Sequence, residues 1–132
     1  MLKEELKMKI TTFNPQIFTN DATPVEKLFE ELGFEKRHDQ KNIGDQNAEG
    51  IRMKNESGFH LDISQSEVDF PRDLVGIRIN VDDFDEAYKF FTDHGFKNYA
   101  EDRVNEVKTS KSAVLISPSG FGINLVQHIK NN

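Results

Sequence analysis

The chain has 132 residues, a formal net charge of −6 and no cysteine, which excludes disulfides, thiolate metal sites and a cysteine nucleophile. The length suits one domain, and 36% hydrophobic residues with 11 phenylalanines exclude a disordered polymer. The acidic balance argues against a nucleic-acid partner. No apolar run reaches the roughly 18–20 residues that span a bilayer, and residues 1–9 lack a signal-peptide core. We therefore expect a cytoplasmic protein with no membrane or nucleic-acid partner.

The first part of the chain predicts a strand followed by a short helix. The strand is expected over residues 9–18. Thr23 is a typical N-cap, Pro24 then takes the first helical position, and Glu26 completes a capping box. Apolar residues recur at helical spacing after this start, and Gly33 supplies a left-handed stop. The helix is therefore amphipathic, with one face for a core.

The same order returns later in the chain. Residues 75–81 read as a strand, Asp83 with Glu86 starts a helix, and Gly95 ends it. The two copies are offset by 62 positions, the distance from Gly33 to Gly95. This offset aligns residues 12–65 with 74–127 without a gap, including a Ser-Gly-Phe triplet in each copy. Internal similarity of this kind indicates a duplicated module.

A polar stretch follows each predicted helix, at residues 37–49 and 99–111, and is expected to hold a strand and a loop. A strand pair then turns at a glycine-bearing sequence, residues 55–58 or 118–120. The elements thus predict an α+β fold of two βαβββ modules in tandem.

We expect residues 1–132 to form a single domain. Its first module covers about residues 8–65, its linker residues 66–73 and its second module about residues 74–128.

Alternation along the predicted strands separates an apolar face from a polar one. Leu61 and Ile63 point one way, for example, and Asp62 points the other. Polar side chains on one face of an antiparallel sheet often only meet water. That explanation is weaker for Asp62 and Arg78, which lie in mid-strand, and a guanidinium suits a planar anionic or carbonyl ligand. The candidate ligand-binding residues on the polar face are Asn14, Gln16, His60, Asp62, Arg78, Asn80, Asn124 and His128.

The duplicated order, the helix ending Leu32-Gly33-Phe34 and the sequence SPSGFGINL at 117–125 together resemble the vicinal-oxygen-chelate superfamily. That superfamily includes glyoxalase I, extradiol dioxygenases, fosfomycin-resistance enzymes and bleomycin-resistance proteins. The resemblance extends from about residue 8 to residue 128. It implies that the modules form a cupped, barrel-like mixed sheet around a small-molecule cavity, with the helices on its outer face.

The resemblance also implies where a metal would bind. Enzymes of the superfamily use side chains of the first and last strands, and those positions hold Asn14, Asp62, Gly76 and Asn124 here. Glycine has no ligating side chain, and amides are poor ligands for zinc, nickel or iron. We therefore expect no metal cofactor. The alternative is a divalent metal at a displaced site of His60, Asp62 and His128.

The leading functional hypothesis is metal-independent binding of a small molecule, as in bleomycin-resistance proteins. Those proteins are usually dimers, so the resemblance also implies that this protein is a homodimer. The binding would sequester an antibiotic or a metabolite. Arg78 favours an anionic or carbonyl-bearing ligand over a cationic one. One alternative is a divalent-metal-dependent lyase, isomerase or dioxygenase of the same superfamily. A further alternative is a metal-free enzyme that uses Asp62 or His60 as its general base.

Overall fold

The computed structural model describes residues 6–43, 48–66 and 71–129. Part of the predicted linker 66–73, part of the polar stretch 37–49 and the first residues of the charged prefix 1–9 lie outside these ranges. The elements in chain order are β1 Ile10–Thr19, α1 Ala22–Glu31, β2 Glu35–Ile43, β3 Ala48–Lys54, β4 His60–Gln65, β5 Leu74–Val81, α2 Phe84–Asp93, β6 Lys97–Asn98, β7 Asn105–Val107, β8 Ser110–Ile116 and β9 Gly122–His128. The predicted α+β class and the tandem βαβββ order are confirmed.

The chain separates into two compact units, one of residues 14–78 and one of residues 1–13 together with 79–132. These bounds cut through β1 and β5, whereas the sequence places the module boundary in the linker. The difference has a local cause in the second unit. The backbone N–H groups of Lys7 and Met8 donate to the carboxylate of Glu86, at 2.8 and 2.9 Å. Lys7 and Met8 are therefore bound to the start of α2.

In the unit of residues 14–78 the strands lie in the order β2-β3-β4-β1. Strand β1 is parallel to β4, with Gln16 opposite Asp62, while β3 is antiparallel to β4. One face of this sheet is covered by α1. Its core consists of Ala22, Ile51, Met53, Leu61 and Ile63, with Ile17, Val25, Phe29 and Phe34 packed against it. The predicted alternation along β4 is confirmed, because Leu61 and Ile63 face this core.

In the other unit, β8 pairs with β9 on one side and with β6 and β7 on the other. The buried apolar side chains of this unit come from the end of β5, from α2 and from the β8–β9 pair. They are Ile79, Val81, Phe84, Ala87, Ala113, Leu115, Ile123, Leu125 and Val126. No helix among the described residues combines the length and apolar character needed to cross a membrane.

The helix starts agree with the sequence in one unit and not in the other. Asp83 is the N-cap of α2, as predicted, and its side chain accepts from the N–H of Glu86 at 3.1 Å. The predicted N-cap Thr23 is wrong, because α1 begins at Ala22 and its N-cap is Asp21. The Asp21 carboxylate accepts from the N–H of Thr23 at 3.2 Å. A carboxylate two residues earlier thus takes the capping role from the threonine.

A glutamine from the last strand of each module completes the helix start. Gln65 Oε1 accepts from the N–H of Ala22 at 2.7 Å, and Gln127 Oε1 accepts from the N–H of Phe84 at 2.8 Å. The offset of 62 positions relates the two pairs, since it carries Ala22 to Phe84 and Gln65 to Gln127. The duplication therefore extends to individual hydrogen bonds, which satisfy helix N–H groups that have no partner within the helix.

Candidate functional site

Asp62 lies on the face of β4 that points away from the α1 core. Its neighbours Leu61 and Ile63 occupy the opposite face, as strand alternation requires. Strand register puts Gln16 of β1 on one side of Asp62 and Arg52 of β3 on the other. Asp62 is nevertheless only 2% exposed. A carboxylate buried in this way needs charged or hydrogen-bonding partners, because burial without them is costly.

Three side chains supply those partners. Arg52 donates from Nε to Asp62 Oδ1 at 2.9 Å and from Nη2 to Oδ2 at 3.4 Å. Asn14 donates from Nδ2 to Oδ2 at 2.9 Å, and Arg78 Nη1 lies 3.9 Å from Oδ1. We call Asn14, Arg52, Asp62 and Arg78 the Asp62 cluster. All four residues belong to the unit of residues 14–78.

The charges of the Asp62 cluster influence one another. Burial lowers the pKa of Arg78, and the like charge of Arg52 acts in the same direction, while the Asp62 carboxylate opposes both. The side chain of Arg52 is 28% exposed and that of Arg78 17% exposed, compared with 3% for Asp62. The carboxylate is thus the most buried charged group of the cluster, and the two arginine side chains are its more exposed members.

This donor set does not fit a divalent metal at Asp62. Both carboxylate oxygens already accept hydrogen bonds, and a metal ion would add positive charge beside two guanidinium groups. Metal sites of this kind need several His or carboxylate ligands together. Within residues 6–43, 48–66 and 71–129, no three His, Cys, Asp or Glu side chains are grouped to hold a metal.

The other candidate residues of this unit have separate positions. Gln16 is fully buried, and its Nε2 donates to the hydroxyl of Ser64 at 2.9 Å. His60 is half-buried at the start of β4, opposite Lys54. Of the predicted residues, therefore, Asn14, Asp62 and Arg78 form one cluster. Gln16 lies directly opposite Asp62 on the neighbouring strand β1.

The remaining candidates lie in the other compact unit. Asn80 is 4% exposed near the end of β5, Asn124 is half-buried opposite Val114, and His128 is exposed opposite Ser110. Each of the three has an interaction partner. The sequence prediction grouped these residues with Asp62, and that grouping stays a prediction.

Arg52 is the member of the Asp62 cluster that the sequence prediction missed. The predicted turn at residues 55–58 contains the signal that would have found it. Pairing outward from that turn places Lys54 opposite His60 and Arg52 opposite Asp62, as observed. Opposite charges on directly facing strand positions attract each other, so the hairpin register identifies Arg52 as a partner of Asp62.

No protein-family model matches the sequence, and no curated protein matches it. Solved structures do resemble it. Methylmalonyl-CoA epimerase from Mycobacterium tuberculosis superposes with a TM-score of 0.63 at 16% identity, over 98% of this chain and 94% of that chain. Glyoxalase I from Zea mays gives 0.62 at 17% identity, over 93% of this chain and 45% of that chain. A glyoxalase/bleomycin resistance protein/dioxygenase superfamily member from Vibrio splendidus 12B01 gives 0.55 at 16% identity, over 90% and 99%.

Proposed function

Because the chain has the vicinal-oxygen-chelate fold, we propose that it binds a small molecule without a metal cofactor. The resemblance implies a small-molecule cavity on the cupped sheet. We assign the polar lining of that cavity to the Asp62 cluster, whose side chains come from β1, β3, β4 and β5. Gln16 and His60 extend the same polar face, and Asn80, Asn124 and His128 are the proposed ligand-binding residues of the other unit.

The observation that carries this proposal is the bonding of Asp62. Its position corresponds, by the resemblance, to that of a metal-ligating carboxylate. Here Arg52 grips that carboxylate with two hydrogen bonds, and Asn14 adds a third. Paired guanidinium donors form a strong and geometrically specific contact with a carboxylate. Arg52 thus occupies the carboxylate that a metal ion would need as a ligand.

The competing proposal is a divalent-metal-dependent lyase, isomerase or dioxygenase. The similar structures include methylmalonyl-CoA epimerase and glyoxalase I, so the fold is compatible with an enzyme. Fold alone does not assign chemistry, because one fold supports many functions. For this chain the enzyme would require Asp62 to leave Arg52 and join imidazole ligands, and we therefore place metal-independent binding first.

Metal analysis and thermal unfolding separate the two proposals. The full chain is dialysed against EDTA, and its melting temperature is measured with nickel, zinc, manganese or ferrous iron, and with a panel of metabolites and antibiotics. We expect the metals to leave the melting temperature unchanged and at least one organic compound to raise it. The same series is run on Asp62→Ala and on the control Asp93→Ala, whose side chain is 58% exposed.

The proposal is contradicted if the wild type and Asp93→Ala bind about one equivalent of metal and Asp62→Ala does not. That result would identify Asp62 as a ligand and favour the metal enzyme. Unchanged melting temperatures with every metal would remove the enzyme that depends on Asp62.

We further propose that the protein acts as a cytoplasmic homodimer that sequesters its ligand, a metabolite or an antibiotic. The support is the resemblance to bleomycin-resistance proteins described above. Sedimentation equilibrium tests the dimer, and a monomeric mass at micromolar concentration would contradict it.

A further inference from the structure

The Asp62 cluster contains two guanidinium groups and one carboxylate. Each guanidinium has five N–H donors, whereas a carboxylate offers about four acceptor sites. Three of those sites already receive Arg52 Nε, Arg52 Nη2 and Asn14 Nδ2. The cluster therefore sets two cationic groups against one anionic group, a balance of charge that suits the recognition of a second oxyanion.

The two guanidinium groups also lie close to each other. Arg52 Nε and Arg78 Nη1 are 2.9 and 3.9 Å from the same oxygen, Asp62 Oδ1, so they are no farther apart than the sum of those distances. Burial is the main cause that lowers the pKa of Arg78, and the nearby charge of Arg52 lowers it further, against the opposing effect of Asp62. Like charges stay this close when an anion lies between or beside them. Asp62 is the anion that the fold itself provides.

Both arginine side chains are more exposed than the carboxylate between them. The side chains of Arg52 and Arg78 are 28% and 17% exposed, and that of Asp62 is 3% exposed. A molecule approaching from solvent therefore meets an arginine side chain before it meets the carboxylate. Partial burial strengthens such contacts, because the local dielectric is lower than that of water.

We propose that Arg78 and Arg52 bind the carboxylate group of a small organic monoanion, and that Asp62 and Asn14 are positioning residues that hold the two guanidinium groups. The inference rests on the proposed function and adds its ligand class. The three charged side chains of the cluster have a formal sum of +1, so one carboxylate balances them. A phosphate dianion would leave an excess of negative charge beside the buried Asp62, which is unfavourable.

The test is a titration of the EDTA-treated full chain, followed by NMR of the arginine side-chain Nε–H signals. The probes are propionate, its neutral amide propionamide, and inorganic phosphate. We expect propionate to shift the signals of Arg78 and Arg52 saturably, propionamide to leave them unchanged, and phosphate to bind more weakly than propionate. A shift with propionamide equal to that with propionate, or none with propionate, overturns the inference, and so does tighter binding of phosphate.

Three variants sharpen the test. Arg78→Gln should weaken propionate binding by about tenfold or more, the usual effect of losing a charge-assisted hydrogen bond. Arg78→Lys keeps the charge without the planar guanidinium, so its affinity for propionate should lie between those of the wild type and Arg78→Gln. The matched control is Arg37→Gln in the same unit, whose side chain is 58% exposed, and it should bind propionate like the wild type. Wild-type affinity in a folded Arg78→Gln protein would contradict the role of Arg78.

Failure of this inference is distinguishable from failure of the proposed function. If a neutral or cationic compound stabilises the metal-free protein and propionate does not bind, the ligand class is wrong and metal-independent binding stands. If a metal binds through Asp62, both proposals fail together. Asp62→Asn tests the positioning role. Removal of a negative charge alone should strengthen the binding of an anion, so weaker propionate binding with a broadened Arg52 signal would show that Asp62 positions the guanidinium groups. Stronger propionate binding would contradict that role.

Discussion

Replacing Asp62 by asparagine tests whether the buried carboxylate stabilises the fold. Asparagine has nearly the same shape, so the substitution leaves no cavity and mainly removes the charge. Arg52 and Arg78 then remain beside a neutral amide, whereas in the wild type Arg52 Nε and Arg78 Nη1 lie 2.9 and 3.9 Å from the carboxylate oxygen Asp62 Oδ1. Removing one partner of a buried ion pair leaves an uncompensated charge, which is strongly destabilising.

The expected loss can be estimated from the exposure of the partners. Breaking a fully buried pair costs about 3–5 kcal/mol. The arginine side chains are 28% and 17% exposed, so water can partly solvate them and we expect the lower end, about 3 kcal/mol. An unfolding entropy of about 2.1 cal/mol/K per residue, over 132 residues, converts this to a fall in melting temperature of roughly 11 °C.

The assay is urea unfolding followed by circular dichroism, with calorimetry for the melting temperature. Asp93→Asn is the matched control. Its ion pair with Lys89 is shorter, at 2.6 Å, but the two side chains are 58% and 76% exposed. An exposed pair of this kind contributes within about 0.5 kcal/mol. If Asp62→Asn lowers the free energy of unfolding by less than about 1 kcal/mol, or by no more than Asp93→Asn does, burial does not strengthen the Asp62 contacts. That result would refute the reasoning.

Two further predictions concern a helix stop and a surface lysine. Gly33→Ala and Gly95→Ala should each lower the free energy of unfolding by about 1–2 kcal/mol, since both residues have positive φ. Gly95→Ala should cost more, because its Cβ would meet Pro118 Cγ at 3.0 Å. Equal losses in urea unfolding would contradict this. The hydrogen bond to Asp85 raises the pKa of Lys111 above its ordinary value of 10.5. At neutral and moderately alkaline pH this stabilisation is fully present, and it is lost as the pH rises through the folded-state pKa of Lys111. The stability difference between wild type and Lys111→Gln should therefore be constant between about pH 6 and pH 10 and then shrink, and a difference that already falls between about pH 6 and pH 9 would refute the assignment.

Sequence periodicity was sufficient to predict the tandem modules. The stops at Gly33 and Gly95 both have positive φ, at 100° and 90°, as a left-handed helix end requires. The start of α2 at Asp83 was also predictable, because its capping partner Glu86 lies within one turn. Local signals of this kind depend only on neighbouring residues, and the sequence displays them directly.

The start of α1 shows where local reasoning fails. Thr23, Pro24 and Glu26 form a plausible capping box, yet the chain begins the helix at Ala22 after Asp21. The N–H of Ala22 is taken by Gln65, which is distant in sequence. That contact is visible only once β4 lies beside α1, although the offset that relates Asp21 to Asp83 already pointed to the correct residue.

The candidate site was predictable in part. Strand alternation identified Asn14, Asp62 and Arg78 because each is a polar residue at a fixed strand phase. It did not show that they would meet, since phase gives the face of a strand and not its neighbours. Arg52 was missed because it belongs to β3, whose pairing depends on the hairpin register. A ligand read by these side chains depends on distances that periodicity does not contain.

The two glutamine contacts at the helix starts have a consequence for how the chain is made. Gln65 follows Ala22 by 43 residues, and Gln127 follows Phe84 by the same separation. During synthesis from the N-terminus, the start of each helix therefore waits for the last strand of its own module before its first N–H group is satisfied. Closing such a long loop costs entropy before the contact stabilises anything. Each repeat should consequently complete its folding only when its final strand has left the ribosome, with the glutamine as the closing contact.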